Sequence, residues 1–498
     1  MLSSHSVPFL IASFVLATSA TSVVDIASYC KLLASKVGHV SYPGSSTYND
    51  SISSYYSGQE RQLHPGCVFS PTCAEDVSRF IKLINPGHGY GSYRGPQFAL
   101  RSGGHMIWTG AANIQGGITV DMGSMNSLQL SEDRKIVSLG SGGIWSEIYP
   151  VLDKYNLTVM GGRVPGIGVG GFSTGGGISY LSRRQGWACE NIYNYQLVDA
   201  TGQILEVNER SYPDLWLALK GGSNNYGIVT RIEAPTWEIE GMWGGGLAFN
   251  YTPEILAANA KAFSSFMDPK NFDDSADMGM ALVFQNPGQV YAVGGDLYYI
   301  KPVVNPPIYR PFTAIPSIAN TLRLTNVTSL VTEASGSLPP GASRAIDLVF
   351  SFRNGDADFY SDLFKIWEDG TEALAHIENL QLVLLIQPQP VSTGKSSLGL
   401  PAGETDFVVT VLTAAYANAA DDDTVQKGME DIVVKQEDLC RQKGLYIPYQ
   451  YLNYADRSQD PIASYGKAEK ARLQAVSKKY DLNGFFQSAL PGGFKVFP

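Results

Sequence analysis

Basic residues are in short supply. Lys and Arg number 36 against 46 Asp and Glu in 498 residues, a formal net charge of −10. No basic run stands out, which argues against a nucleic-acid partner. Cysteine is scarce too: Cys30, Cys67, Cys73, Cys189 and Cys440. None forms a CxxC pair, so the sequence offers no metal site. The odd number leaves at least one thiol unpaired, and Cys30 can pair with Cys67 or Cys73 to clamp the N-terminal helix. Beyond the N-terminus no stretch reaches the roughly 20 apolar residues of a membrane span.

Charge is missing altogether from residues 1–22. Residues 7–17 are apolar, and Thr18-Ser19-Ala20 supplies small residues for cleavage. Residues 1–20 therefore read as a secretory signal peptide, although only His5 stands where a positive start is usual. Secretion fits four glycosylation sequons, at Asn49, Asn156, Asn250 and Asn326.

What remains is a globular chain. It is 44% hydrophobic and 16% charged, and long enough for two or three folded units. Residues 25–37 carry apolar side chains at helical spacing. "GCVFSP" reads as a strand, followed by a helix that Thr72 can cap. "QFALRSGG", "GITVDM", "KIVSLGSGG" and "LTVMGG" read as strands ending in turns, and "WSEIYPVLDKYN" as a helix. "YNYQLVDATGQILEV" alternates around Thr201-Gly202 like a hairpin. From about 240 to 445 the strand patterns lengthen, and long helical patterns separate them. The last 50 residues again have turns, in "YQYLNYADRSQDP" and "DLNGFFQSALPGGF".

The 52 glycines form clusters. Three lie in the first half: Arg101-Ser102-Gly103-Gly104-His105, Gly161-Gly162 running into "GIGVGGFSTGGG", and Gly221-Gly222 before "NNYGIVT". Such turns let a ligand approach the backbone and can aim consecutive amides at an anion. Several on one unit suggest a large phosphate-bearing ligand. None has the Walker lysine. "GIGVGG" lacks the strand–turn–helix context and later acid of a dinucleotide fingerprint. One of only six histidines follows the first turn directly.

Together "RSGGH", "GGRVPGIGVGGFSTGGGISYLSRRQGWACENI", "LVDATGQI", "DLWLALKGGSNNYGIVTRIE", "YLNYAD" and "LPGGF" resemble the berberine-bridge-enzyme-like FAD-linked oxidases, of the vanillyl-alcohol-oxidase group with a PCMH-type FAD-binding domain. The likeness runs from about Cys67 to the C-terminus, most specifically over 100–230 and 450–495. It implies an α+β chain with a two-part FAD domain. Residues 25–240 (core about 61–237) form the first part and 446–498 complete it. An inserted α/β substrate domain, 241–445, has an antiparallel sheet covered by helices.

The resemblance implies FAD as cofactor, its pyrophosphate on the Arg-Ser-Gly-Gly loop and its 8α-methyl bonded to His105. The implied contacts are Arg101, Ser102, Gly103, Gly104, His105 and Met106 in the first loop. Val164, Pro165, Ile167, Gly170, Gly171, Ser173, Gly175 and Gly176 supply the second, Gly227, Ile228 and Val229 the third, and Asn453 the C-terminal segment. Many relatives make a second bond from a cysteine in Gly-x-Cys-Pro. Val164 stands there, so a single tether is expected, and weight shifts from carbohydrate oxidation to a small metabolite. Phe172 follows Gly171 where relatives often carry histidine. Ile167 is expected near the flavin's reactive edge, where its bulk could hinder O2.

The implied reaction moves a hydride from a small alcohol, amine or activated C–H compound to flavin N5, in specialised-metabolite biosynthesis, with O2 as acceptor. Tyr451 or Tyr454 would take the proton. Alternation along a strand puts these two on opposite faces. Tyr446 and Tyr449 are further candidates, and His376 fits a structural role in a helix. The alternatives are a carbohydrate oxidase and a secreted flavin-binding protein without turnover.

Overall fold

The computed structural model describes residues 24–85, 93, 95–334, 339 and 341–497. The signal peptide expected over 1–20 lies outside them. Among the described residues there are four sheets. In the first, Cys67–Phe69, Ile118–Asp121 and Phe98–Arg101 run parallel, and Val40–Ser41 pairs antiparallel at one edge. The second is five-stranded and antiparallel, with Ile228–Pro235 between Ile136–Gly140 and Asn194–Val198. The hairpin around Thr201-Gly202 pairs Asn194–Val198 with Ile204–Asn208, as its alternation predicts. "LTVMGG" contributes only Leu157–Thr158, paired with Trp237–Glu238.

The first helix is Ile26–Lys36, capped by Asp25 accepting from the Ser28 amide. Cys30 is bonded to Cys67, which ties this helix to the parallel sheet; Cys73, Cys189 and Cys440 are free thiols. The helix after the strand Cys67–Phe69 begins at Ala74, and Thr72 does not cap it. The bond runs the other way: the Thr72 amide and hydroxyl donate to Asp76 Oδ2 at 2.9 and 2.8 Å. A first-turn carboxylate also complements the positive end of the helix dipole.

Residues 242–447 form a nine-stranded sheet, antiparallel at every pairing. Side-chain alternation assigns its two faces. Leu382, Leu384 and Ile386 share a core with Phe263, Phe359, Trp367 and Met429 of the helices Pro253–Phe266, Ala357–Leu374 and Asp422–Gln442. The opposite face, with Val383 and Leu385, looks toward the glycine-rich half. The C-terminal segment packs into the core of residues 137–234 through Tyr449, Tyr451, Leu452 and Leu473. It is not all turns: Lys467–Tyr480 is a 14-residue helix, carrying Leu473 and Val476 inward. Its weak apolar stripe is why the sequence hid it. Asn49, Asn156, Asn250 and Asn326 are all exposed.

Candidate active site

A cavity of about 620 Å³ lies between the glycine turns and the inner face of the large sheet. Ser102–Trp108 supply one side, residues 163–174 the floor, and Val383, Leu385, Val411 and Thr413 the roof. Tyr451–Asp456 close the end. Glycine is required where these loops meet. A Cβ on Gly103 would stand 2.5 Å from Gly166 O and from Gly168 N, so the first two loops pack backbone to backbone. Gly104 sits at φ +68°, a left-handed conformation that favours glycine. Gly171 has open space where a Cβ would go.

Ser102 stitches the loops: its hydroxyl donates to Ser141 O at 2.6 Å and accepts from the Gly170 amide at 3.2 Å. Arg101 turns away from the cavity. Its guanidinium donates to Ser51 and Ser54, pairs with Asp121 at 3.6 Å and stacks on Tyr55. In place of the expected anion contact, it anchors the helix Ser46–Ser53 beneath the loop. Pro165, Ser173, Gly175, Gly176 and Ile228 also lie off the cavity wall, as packing positions behind it. Met106, Val164, Ile167, Gly170, Gly171, Gly227, Val229 and Asn453 are on the wall. Phe172 lines it too, its ring edge-on to Trp145 at 5.3 Å.

His105 lies on the same wall, its ring stacked 4.2 Å from Tyr56. Its Nε2 is buried with no hydrogen-bond partner among the described residues. Burial lowers its pKa to about 4, so at neutral pH the imidazole is uncharged. An uncharged ring with an unpartnered nitrogen, at the end of a glycine cradle, suits attachment to a ligand in the cavity.

Tyr451 and Tyr454 are neighbours. Leu452–Tyr454 is a 3₁₀ turn, not a strand, so alternation does not apply and the rings meet edge-to-face at 4.7 Å. Their surroundings differ. The Tyr451 hydroxyl accepts from the Gly177 amide at 3.0 Å and from Asn453 Nδ2 at 2.9 Å, and burial pushes its phenol far up. Tyr454 is half-buried at the cavity, where its hydroxyl accepts from Gln387 Nε2 at 3.2 Å. Tyr446 and Tyr449 do not line the cavity, and His376 is exposed near the end of its helix.

Three charged groups here escaped the sequence reading. Asp347, opposite Thr413 in the sheet register, accepts from its hydroxyl at 2.6 Å, and burial raises its carboxyl to about 7. Arg163 lines the cavity and donates to Gln387 Oε1. Asp277 lies behind it, its carboxyl raised to about 6 by burial and held down in part by Arg163 and Arg183. The inward phase of an alternating strand was the only signal that could have found Asp347 and Asp277.

Loops that admit a large ligand, an unpartnered histidine beside them and a roof for a second molecule define a cofactor-plus-substrate site of the flavoenzyme kind. The comparisons agree. Residues 65–208 match the FAD binding domain family. The chain is 32% identical over 474 residues to the FAD-dependent monooxygenase tpcD of Cochliobolus heterostrophus, covering 91% of this chain and 89% of the relative. It is also 32% identical over 496 residues to the FAD-dependent monooxygenase CTB5 of Cercospora beticola, covering 95% and 93%. Among solved structures, 6-hydroxy-D-nicotine oxidase from Arthrobacter nicotinovorans superposes at TM-score 0.74 with 20% identity, covering 90% of this chain and 96% of that one. A berberine bridge enzyme variant in complex with (S)-reticuline superposes at 0.72 with 14% identity, covering 95% and 99%. The Acremonium strictum glucooligosaccharide oxidase, described with 6-S-cysteinyl, 8α-N1-histidyl FAD, superposes at 0.72 with 16% identity, covering 92% and 97%. The chain belongs to the same family as these FAD-dependent monooxygenases and is itself an FAD-linked oxidoreductase, with the fold of the berberine bridge enzyme.

Proposed function

We propose that this enzyme is a hydride-abstracting oxidase of a small metabolite in fungal specialised metabolism, with FAD attached once, through His105. The observation that carries the attachment is the position of His105 on the cavity wall, at the end of the first glycine turn. Burial keeps the imidazole neutral and therefore nucleophilic. Val164 has no sulfur for a second bond. Residues 25–240 and 446–498 would hold the cofactor, and 241–445 the substrate; the packing of the C-terminal segment into the core of residues 137–234 supports joining the first two.

FAD, when bound, supplies the two-electron acceptor. The chain's own residues orient the substrate and take its proton. Tyr454 is the better acceptor of the two tyrosines, because its oxygen is at the cavity and accepts from Gln387. Tyr451 is enclosed and carries a phenol that burial holds protonated. Asp347 is a second group on the roof whose proton is exchangeable near neutrality. The apolar roof of Val383, Leu385 and Val411 favours a compact, largely apolar substrate over a sugar chain. We also read the chain as a secreted glycoprotein using O2. The Cys30–Cys67 bond and the exposed sequons are compatible with that.

The relatives named monooxygenases favour a second reading, in which one oxygen atom of O2 enters the product. The two are separated by peroxide yield and by mass spectrometry of product formed under 18O2. The attachment is tested on a denaturing gel. Wild-type protein should give a flavin-fluorescent band and His105→Ala none; a dark wild-type band sinks the covalent proposal.

A further inference from the structure

Arg163 has more hydrogen-bonding capacity than the protein uses. A guanidinium carries five N–H donors and no acceptor. Among the described residues only Nη2 finds an acceptor, Gln387 Oε1. The nearest carboxylate, Asp277 Oδ2, is 4.0 Å from Nη1, beyond hydrogen-bond reach. Asp277 also faces a second buried guanidinium, Arg183. Asp277 is thus shared between two cations, Asp296 acts on Arg163 through charge with no hydrogen bond to it among the described residues, and Tyr180, Tyr298 and Tyr454 are its other neighbours. The side chain is only 11% exposed, and that exposure is on the cavity wall.

Gln387 fixes the orientation. Because Arg163 only donates, the amide oxygen must face it. Gln387 Nε2 must then face the Tyr454 hydroxyl, 3.2 Å away. The amide thus clamps one edge of the guanidinium against the sheet, and the unused donors are left toward the cavity. A buried cation with unmet donors is costly, and charge-assisted bonds to an anionic oxygen relieve that cost. Nearby, Val383, Leu385 and Ile178 offer apolar surface for the rest of such a molecule. Asp347 on the same roof opposes a second negative charge.

We propose that Arg163 is a specificity-determining residue that binds an acidic oxygen of the substrate, a carboxylate, phenolate or enolate on a compact apolar body. The inference deepens, and rests on, the oxidoreductase reading of this cavity. Binding, not turnover, tests it. Flavin-loaded protein is titrated with benzoate and with its uncharged counterpart benzamide, following the flavin absorbance. Benzoate should bind at least about 10-fold more tightly. Arg163→Met should reduce that preference to within about 2-fold while flavin content stays unchanged. Gln387→Leu, which keeps the cation, should retain it. If Arg163→Met does not hold flavin, Arg163→Lys decides: a point charge lacking the planar fork should lower the preference at least about 3-fold. Equal affinities in wild type, or a preference unaltered by the Arg163 substitution, would overturn the proposal. A wild-type protein without flavin would instead count against the FAD reading itself.

Discussion

Glu60 sits in the short helix Gly58–Arg61 with no exposed surface. Its Oε1 accepts from the Ala111 amide at 2.9 Å, and Oε2 has no partner among the described residues. Burial raises its carboxyl to about 7 from an ordinary 4.5. The folded protein thus prefers the neutral acid more than the unfolded chain does. That extra stability is complete below pH 4.5 and is lost as pH rises through 7. At about 1.4 kcal/mol per pH unit the full loss is about 3 kcal/mol, most of which falls between pH 5 and pH 8. Glu60→Gln keeps the shape and abolishes the titration. The amide brings its own cost, about 1–3 kcal/mol for an NH₂ without an acceptor, but that cost is the same at every pH. It cancels when each protein is compared with itself at the two pH values. Urea unfolding should show wild type losing about 2–3 kcal/mol more than the variant between pH 5 and pH 8. Losses equal to within about 0.5 kcal/mol would refute the assignment of a proton to this carboxyl.

Two further pairs of substitutions test the scaffold. A Cβ on Gly175 would land on Asn453 Oδ1, while the backbone there needs no left-handed φ. Gly175→Ala should therefore act through overpacking, displacing the amide that holds Tyr451, at about 1–3 kcal/mol. Its thermal midpoint should fall by several degrees, whereas Gly171→Ala, with open space at its Cβ, should leave apoprotein stability intact. Equal midpoints for the two would contradict the docking described for the C-terminal segment. Cys30→Ser opens a bridge across a sequence separation of 37. Chain entropy bounds the loss at about 4 kcal/mol, and reductant should no longer change the variant's urea midpoint. Cys73→Ser, which removes a free thiol, should unfold like wild type.

Much of the architecture was legible along the chain, for local reasons. The Thr201-Gly202 hairpin and the long central strands follow from alternation. The loops around Gly103 and Gly166 follow from glycine density. Other features depended on partners distant in sequence. Thr72 looked like a cap, but its amide and hydroxyl both donate to Asp76. Arg101 belongs to the glycine motif, yet a helix some fifty residues earlier claimed its side chain. Tyr451 and Tyr454 looked like opposite faces of a strand until the 3₁₀ turn brought them together.

The sequence by itself determined the family, the glycine turns, the single histidine beside them and the valine where a second tether would need sulfur. These are properties of residue type at a fixed position in a motif. Only the tertiary structure decided which acids and cations meet at the cavity. Asp347 and Gln387 lie on separate strands of one sheet, Arg163 on a glycine loop and Tyr454 near the C-terminus. Asp347 and Gln387 carry no local signal of their role, because an inward-facing polar residue in a strand looks the same whether it meets solvent, a core or a cavity. Their meeting depends on strand register and on how the sheet docks over the loops, and both are set by packing across hundreds of residues of intervening chain.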